Sequence, residues 1–232
     1  ASDVYKRQMK GSGLSSSAAF EVLVGTILSH LYNGGQVSAV KIAQISQFAE
    51  NVYFGKPSGL MDQMASSVGG FIAIDFKDTS SPIIESVPAD FEKFGHALCI
   101  VDAKGDHADL TAEYAAIPQE MKAVAGYFTC DTLRQLSKDD IMLNIRVLRE
   151  QFGDRAVLRS IHFFDENERV DKLVHALKAG NFDDFLSSVK ESGDSSYKYL
   201  QNIYAASDIK HQCLSIALNV AEYSLHLSLI HI

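Results

Sequence analysis

The chain is poor in cysteine, and the three it has, Cys99, Cys130 and Cys213, stand singly. None forms a C-x-x-C pair and no His-x-x-x-His cluster accompanies them, which excludes a structural zinc site of the usual spacing. An odd cysteine count suits a reducing compartment, so the expected location is cytoplasmic. Long apolar runs are missing as well. None reaches the length needed to cross a bilayer, and the basic-then-apolar start of a secretory signal is not found. No membrane partner is therefore expected. Positive charge is in deficit, with 21 Lys and Arg against 29 Asp and Glu and a formal net charge of −8. A surface of that sign repels phosphate backbones, so nucleic acid is not expected as a partner. Internal repeats and low-complexity segments are also lacking.

What is there is a chain of 232 residues with 47% hydrophobic side chains, enough to bury one large core or two modest ones. A loop, Gly11-Ser12-Gly13-Leu14-Ser15-Ser16-Ser17, runs into an apolar stretch from Ala18 to Leu28. That stretch is apolar on nearly every face and predicts a buried helix ended by Asn33-Gly34-Gly35. Ser38 is placed to cap a second helix with apolar positions Val40, Ile42, Ala43, Ile45 and Phe48. A short helix from Ser58 to about Ser67 is expected next, stopped by Gly69-Gly70. Phe71–Phe76, Ile83–Val87 and Ala97–Asp102 read as strands, the last of them buried. From Leu110 the pattern is helical, with Pro118 expected to interrupt the first helix and Gly153, Gly180 and Gly193 to punctuate the rest. The fold class expected is α+β, since strands and helices segregate along the chain rather than alternate.

The two ends share an oddity. One reading frame of the DNA string GATGTGTATAAGAGACAG encodes Asp3–Gln8, and its reverse complement encodes Leu227–Ile232. The string resembles a transposase end used in sequencing libraries. Residues 1–8 and 227–232 are therefore expected to be adapter-encoded tails.

Three constellations point to chemistry. The glycine- and serine-rich loop meets a helix start, where unpaired N–H groups and a partial positive charge favour an anion. Gly11 and Gly13 let the backbone approach it closely, and Ser15, Ser16 and Ser17 add hydroxyls for phosphate oxygens or a magnesium ion. No lysine follows, so this is not the G-x-x-x-x-G-K-[ST] loop. Asp62, in Pro57-Ser58-Gly59-Leu60-Met61-Asp62-Gln63, stands in the first turn of a short, mostly apolar helix. An acid there is capped, paired or functional, because burying a lone carboxylate is costly. Glu50, in Phe48-Ala49-Glu50-Asn51, reads by itself as a solvated helix-end acid, and Tyr114 as a core aromatic.

Taken together these segments resemble the GHMP kinases, and the galactokinases among them. Gly11 to Ala18 is similar to that family's ATP-binding motif, and Pro57 to Gln63 to its P-x-G-[IL]-M-D-Q pattern, although many relatives carry cysteine where Ser58 stands. Gly105-Asp106-His107-Ala108-Asp109-Leu110-Thr111-Ala112-Glu113-Tyr114 resembles a sugar-contacting stretch. Ser160–Arg169 and Ser195–Asn202 resemble further family segments and are read as scaffold.

The resemblance implies a two-lobed fold, with a first lobe like the second domain of a ribosomal protein over residues 9–95 and a ferredoxin-like helical second lobe over 96–226. It implies ATP and Mg2+ as cofactors, with Gly11, Ser12, Gly13, Leu14, Ser15, Ser16 and Ser17 around the phosphates and Ser17 and Glu50 on the metal. It implies Asp62 as catalytic base, and Gly59, Asp62 and Tyr114 at the sugar. The implied reaction is phosphorylation of the anomeric hydroxyl of galactose by a monomeric enzyme. The alternatives are a kinase for another sugar, such as N-acetylgalactosamine, and a non-catalytic sensor of galactose and ATP. The family's upstream G-R-x-N-L-I-G-E-H-x-D-Y and downstream G-G-x-F-G-G segments are not found in this sequence. The chain is thus expected to be an internal fragment, inactive by itself.

Overall fold

The structure is a computed structural model that describes residues 14–55, 58–103 and 111–225. The chain divides into two compact units, one up to Ala89 and one from Asp90 onward. The first holds helices α1 (Ser16–Asn33), α2 (Ala39–Phe48) and α3 (Met61–Val68), followed by strands β1 (Ile72–Asp75) and β2 (Ile83–Ser86). The second holds α4 (Thr111–Tyr127), α5 (Lys138–Leu143), α6 (Ile145–Phe152), α7 (Asp154–Ala179), α8 (Phe182–Ser195) and α9 (Cys213–Leu225). Among the described residues the fold is mostly helical with a single two-stranded sheet. No helix of the described residues is long and apolar enough to cross a membrane.

In the first unit the three helices pack on one another, and the sheet lies against them. Gly34 ends α1 in the left-handed region at φ 60°, its N–H bonded to the Ser29 carbonyl, a conformation glycine adopts without a Cβ penalty. Ser38 caps α2 by accepting from the Lys41 N–H at 3.3 Å. Gly25 marks a close approach of α1 to α2: a Cβ there would stand 3.1 Å from Ile42 Cγ2. The core is Ala43, Leu60 and Met64, with Val40, Ile74, Phe76 and Ile84 packed around it. β1 and β2 pair antiparallel with Ile72 opposite Ser86 and Asp75 opposite Ile83, as the two apolar runs and the polar turn between them require.

Four expectations are corrected. Helix α1 is not buried all round: Phe20, Ile27, Leu28 and Leu31 are exposed, because its neighbours α2 and α3 cover one face only. Ala97–Asp102 is not a strand, and Leu98, Ile100 and Val101 are exposed. A strand needs a ladder partner, and the second unit offers none among the described residues. Pro118 does not interrupt α4 but sits inside it, and Gly193 lies within α8. The hydrogen bond Pro118 removes is outweighed by burial of Val124 and Ala125, which anchor α4 in the core. Gly153 and Gly180 do terminate α6 and α7.

The core of the second unit gathers Val124, Ala125, Leu133, Ile141, Leu148, Ala156 and Val157 from four helices and a 3-10 turn. Phe94 stacks on Phe182 with ring centroids 4.5 Å apart. The segments read as scaffold carry ion pairs and ring packing. Arg169 pairs with Glu166, which also accepts from Ser192, and Tyr197 lies 5.7 Å from Tyr204.

Buried His162 shares a 2.8 Å hydrogen bond with the Ser195 hydroxyl. Burial holds its imidazole below the usual histidine range, with Arg169 adding to the shift and Glu166 and Asp165 opposing it. The unfolded chain therefore takes up a proton that the folded one resists. The stability His162 contributes is full above the ordinary histidine value of about 6.5 and is lost as pH falls below it. Urea unfolding at pH 7.5 and 5.5 is expected to show a drop that His162→Gln reduces; equal drops would show that other groups govern it.

Candidate active site

The first unit brings the N-terminus of α1, the end of α2 and the start of α3 together. Ser15 is left-handed at φ 52°, and its carbonyl accepts the first helical bond from Ala19 N–H at 3.1 Å. Among the described residues no side chain caps this end, and no acid of α1 itself stands in its first turn. Leu14, Ser16 and Ser17 are exposed and Ser15 is half-buried. Gly11, Ser12 and Gly13 lie outside the described residues.

Helix α2 does not stop at Phe48 but widens into a π turn over Ala49–Tyr53. Such an insertion shifts the side chains after it round the axis. It carries Glu50 inward, where the residue is 4% exposed rather than solvated. Ser17 Oγ donates to Glu50 Oε1 at 3.2 Å. Glu50 Oε2 accepts from Gln63 Nε2 at 2.8 Å, and the same nitrogen donates to Glu21 Oε2 at 3.4 Å. Glu21 stands one turn beyond Ser17, on the same face of α1.

Asp62 precedes Gln63 in the first turn of α3. Adjacent helical residues point about 100° apart. With Gln63 turned into the core, Asp62 is exposed, so the cost of burying a lone carboxylate does not arise for it. The approach to α3 is held by Asn51. Its Oδ1 accepts from the Ser58 N–H at 2.7 Å and from the Ser58 hydroxyl at 3.1 Å, and its Nδ2 donates to the Ser58 carbonyl at 3.2 Å. Gln47 Nε2 donates to that carbonyl too, at 3.1 Å. Gly59 follows in open space, with nothing within 4 Å of a built Cβ. Sequence reasoning passed over Glu21, Gln47 and Gln63 and gave Asn51 no role. The only signal for Asn51 was its place after Glu50.

The donors suit magnesium. A serine hydroxyl and a carboxylate are hard oxygen ligands, and magnesium is commonly held by one or two such groups completed by phosphates and water. Among the described residues no cluster of three or more His, Cys, Asp or Glu could hold a metal unaided, so phosphate oxygens would have to complete the set. The buried carbonyl oxygen of Gln63, without a hydrogen-bond partner among the described residues, is a further acceptor beside them.

Tyr114 belongs to the second unit. It is 62% exposed, not a core residue, and lines a cavity of about 1030 Å³ with Glu113, Arg159, Tyr204 and Asp208. His107 and most of the segment leading to Tyr114 lie outside the described residues.

The chain has relatives among known proteins. Residues 2–70 match the GHMP kinases N terminal domain. Galactokinase from Streptomyces coelicolor is 33% identical over 176 residues, covering 74% of this chain and 43% of that protein. Galactokinase from Thermotoga maritima is 32% identical over 197 residues, covering 85% and 52%. The crystal structure of Lactococcus lactis galactokinase complexed with galactose is similar with a TM-score of 0.66 at 27% identity, over 86% of this chain and 50% of that one. The chain spans about half the length of the curated relatives it matches.

Proposed function

This chain belongs to the GHMP kinases, and on that premise we propose that the whole protein transfers the terminal phosphoryl group of ATP to the anomeric hydroxyl of galactose. The observation that carries the reading is the bond between Ser17 at the start of α1 and the buried Glu50, with the helix of Asp62 packed against both α1 and α2. It assembles an uncapped helix N-terminus, two hard oxygen donors and an adjoining carboxylate from three separate elements.

In this reading Gly11, Ser12, Gly13, Leu14, Ser15, Ser16 and Ser17 hold the phosphates through backbone N–H groups and hydroxyls. Ser17 and Glu50 hold the cation. Bound there, magnesium supplies charge neutralisation on the phosphate oxygens. Asp62, exposed on α3, accepts the proton of the sugar hydroxyl as that oxygen bonds to phosphorus. Gly59, with no side chain, leaves room for the sugar beside Asp62.

The test is ADP release by the whole protein with galactose, with N-acetylgalactosamine and with neither. Galactose-dependent release is expected. Release with N-acetylgalactosamine alone would move the reading to another sugar. Galactose-dependent nucleotide binding without release would replace the enzyme with a sensor.

A further inference from the structure

Gln63 has surroundings that a glutamine does not need for packing. It is 1% exposed, and one amide nitrogen serves two carboxylates, at 2.8 Å to Glu50 and 3.4 Å to Glu21. Its carbonyl oxygen is buried without a hydrogen-bond partner among the described residues. An apolar side chain of the same volume would avoid that unmet acceptor. Turning the amide over would set its oxygen against both carboxylates. The N–H2 group is therefore what the position supplies, and it supplies it to the carboxylate that Ser17 contacts from the other side.

Resting on the metal reading above, we propose that Gln63 is a positioning residue for the cation site. Its amide fixes the Glu50 carboxylate with Oε1 toward Ser17 and offsets the repulsion between Glu50 and Glu21. Its carbonyl oxygen is the acceptor for a water bound to the cation. Such a partner sets the direction of a ligand's lone pairs without touching the metal.

The experiment measures Mn2+ binding to the whole protein in the presence of ATP, following free Mn2+ by electron paramagnetic resonance, with thermal unfolding recorded for each variant. Gln63→Met, which keeps the length and loses the donor, is expected to raise the Kd for Mn2+ roughly 10- to 100-fold while the chain stays folded. Glu50→Gln is expected to raise it at least as much. Adding Gln63→Met to Glu50→Gln should then change the Kd by less than about threefold, because the two act through one carboxylate.

If Gln63→Met does not fold, Gln63→Leu takes its place. Loss of fold in both would mark a packing role and overturn the proposal. So would an unchanged Kd in folded variants while Glu50→Gln weakens binding, an outcome that leaves the metal reading standing. Binding no greater than that of ATP alone, or untouched by Glu50→Gln, overturns the metal reading and this proposal with it.

Discussion

Asp62→Asn in the whole protein is expected to lower kcat for galactose phosphorylation by a factor of roughly 10²–10⁴, the range over which a positioned general base contributes. Asparagine keeps the size and polarity of the side chain but cannot take the hydroxyl proton. Asp62 is exposed in the first turn of α3, while the residues that anchor that helix, Leu60, Gln63 and Met64, are buried. The substitution should therefore leave the fold and the Ser17–Glu50 contact intact, and nucleotide affinity should change little. Steady-state kinetics with a binding titration separates these quantities. A kcat within a few-fold of the unaltered protein would remove Asp62 from the chemistry.

The largest effect on stability is expected at Glu120. Its carboxylate accepts from Arg159 Nη1 at 2.9 Å and from Arg155 Nε at 3.0 Å. Arg159 is 1% exposed, and it also donates from Nε to the Leu200 carbonyl at 2.9 Å. Burial presses the Arg159 guanidinium below the usual arginine range, while Glu120 pulls it back. Glu120→Ala leaves that charge buried beside a like charge, at a cost of ~3–5 kcal/mol. Glu113→Ala, which removes a contact of 3.7 Å to the more exposed Arg155, should cost under about 1 kcal/mol. Urea unfolding followed by far-ultraviolet circular dichroism distinguishes them. Pairing Glu120→Leu with Arg159→Met should recover most of the loss, since an apolar pair of similar volume carries no desolvation cost. If the double variant is as unstable as Glu120→Ala, packing rather than the uncompensated charge is responsible.

Much of this was legible in the order of residues, because the physics involved is local. Ser38 caps α2 through a hydroxyl three residues from the N–H it serves, and Gly34 closes α1 because a left-handed residue is needed there. The strand pair Ile72–Asp75 and Ile83–Ser86 follows from two apolar runs and a polar turn. The glycine- and serine-rich loop before an apolar helix, and the P-x-G-L-M-D-Q segment, carry the family resemblance in contiguous residues, and Ser17, Glu50 and Asp62 were named from them.

What only the tertiary structure decided depends on distant segments meeting. The burial of Glu50 follows from the π turn and from α1 and α3 closing over it, and no periodicity in Phe48–Asn51 announces that. Gln63 reads as an ordinary helical residue until its amide is found between two carboxylates, 13 and 42 residues away along the chain. Ala97–Asp102 has the composition of a buried strand, but a strand exists only where a neighbour completes its ladder. Pro118 and the exposed face of α1 went the other way from their local signals for the same reason. Propensity and apolar content state what a segment can do; the partners that fold against it settle which of those it does.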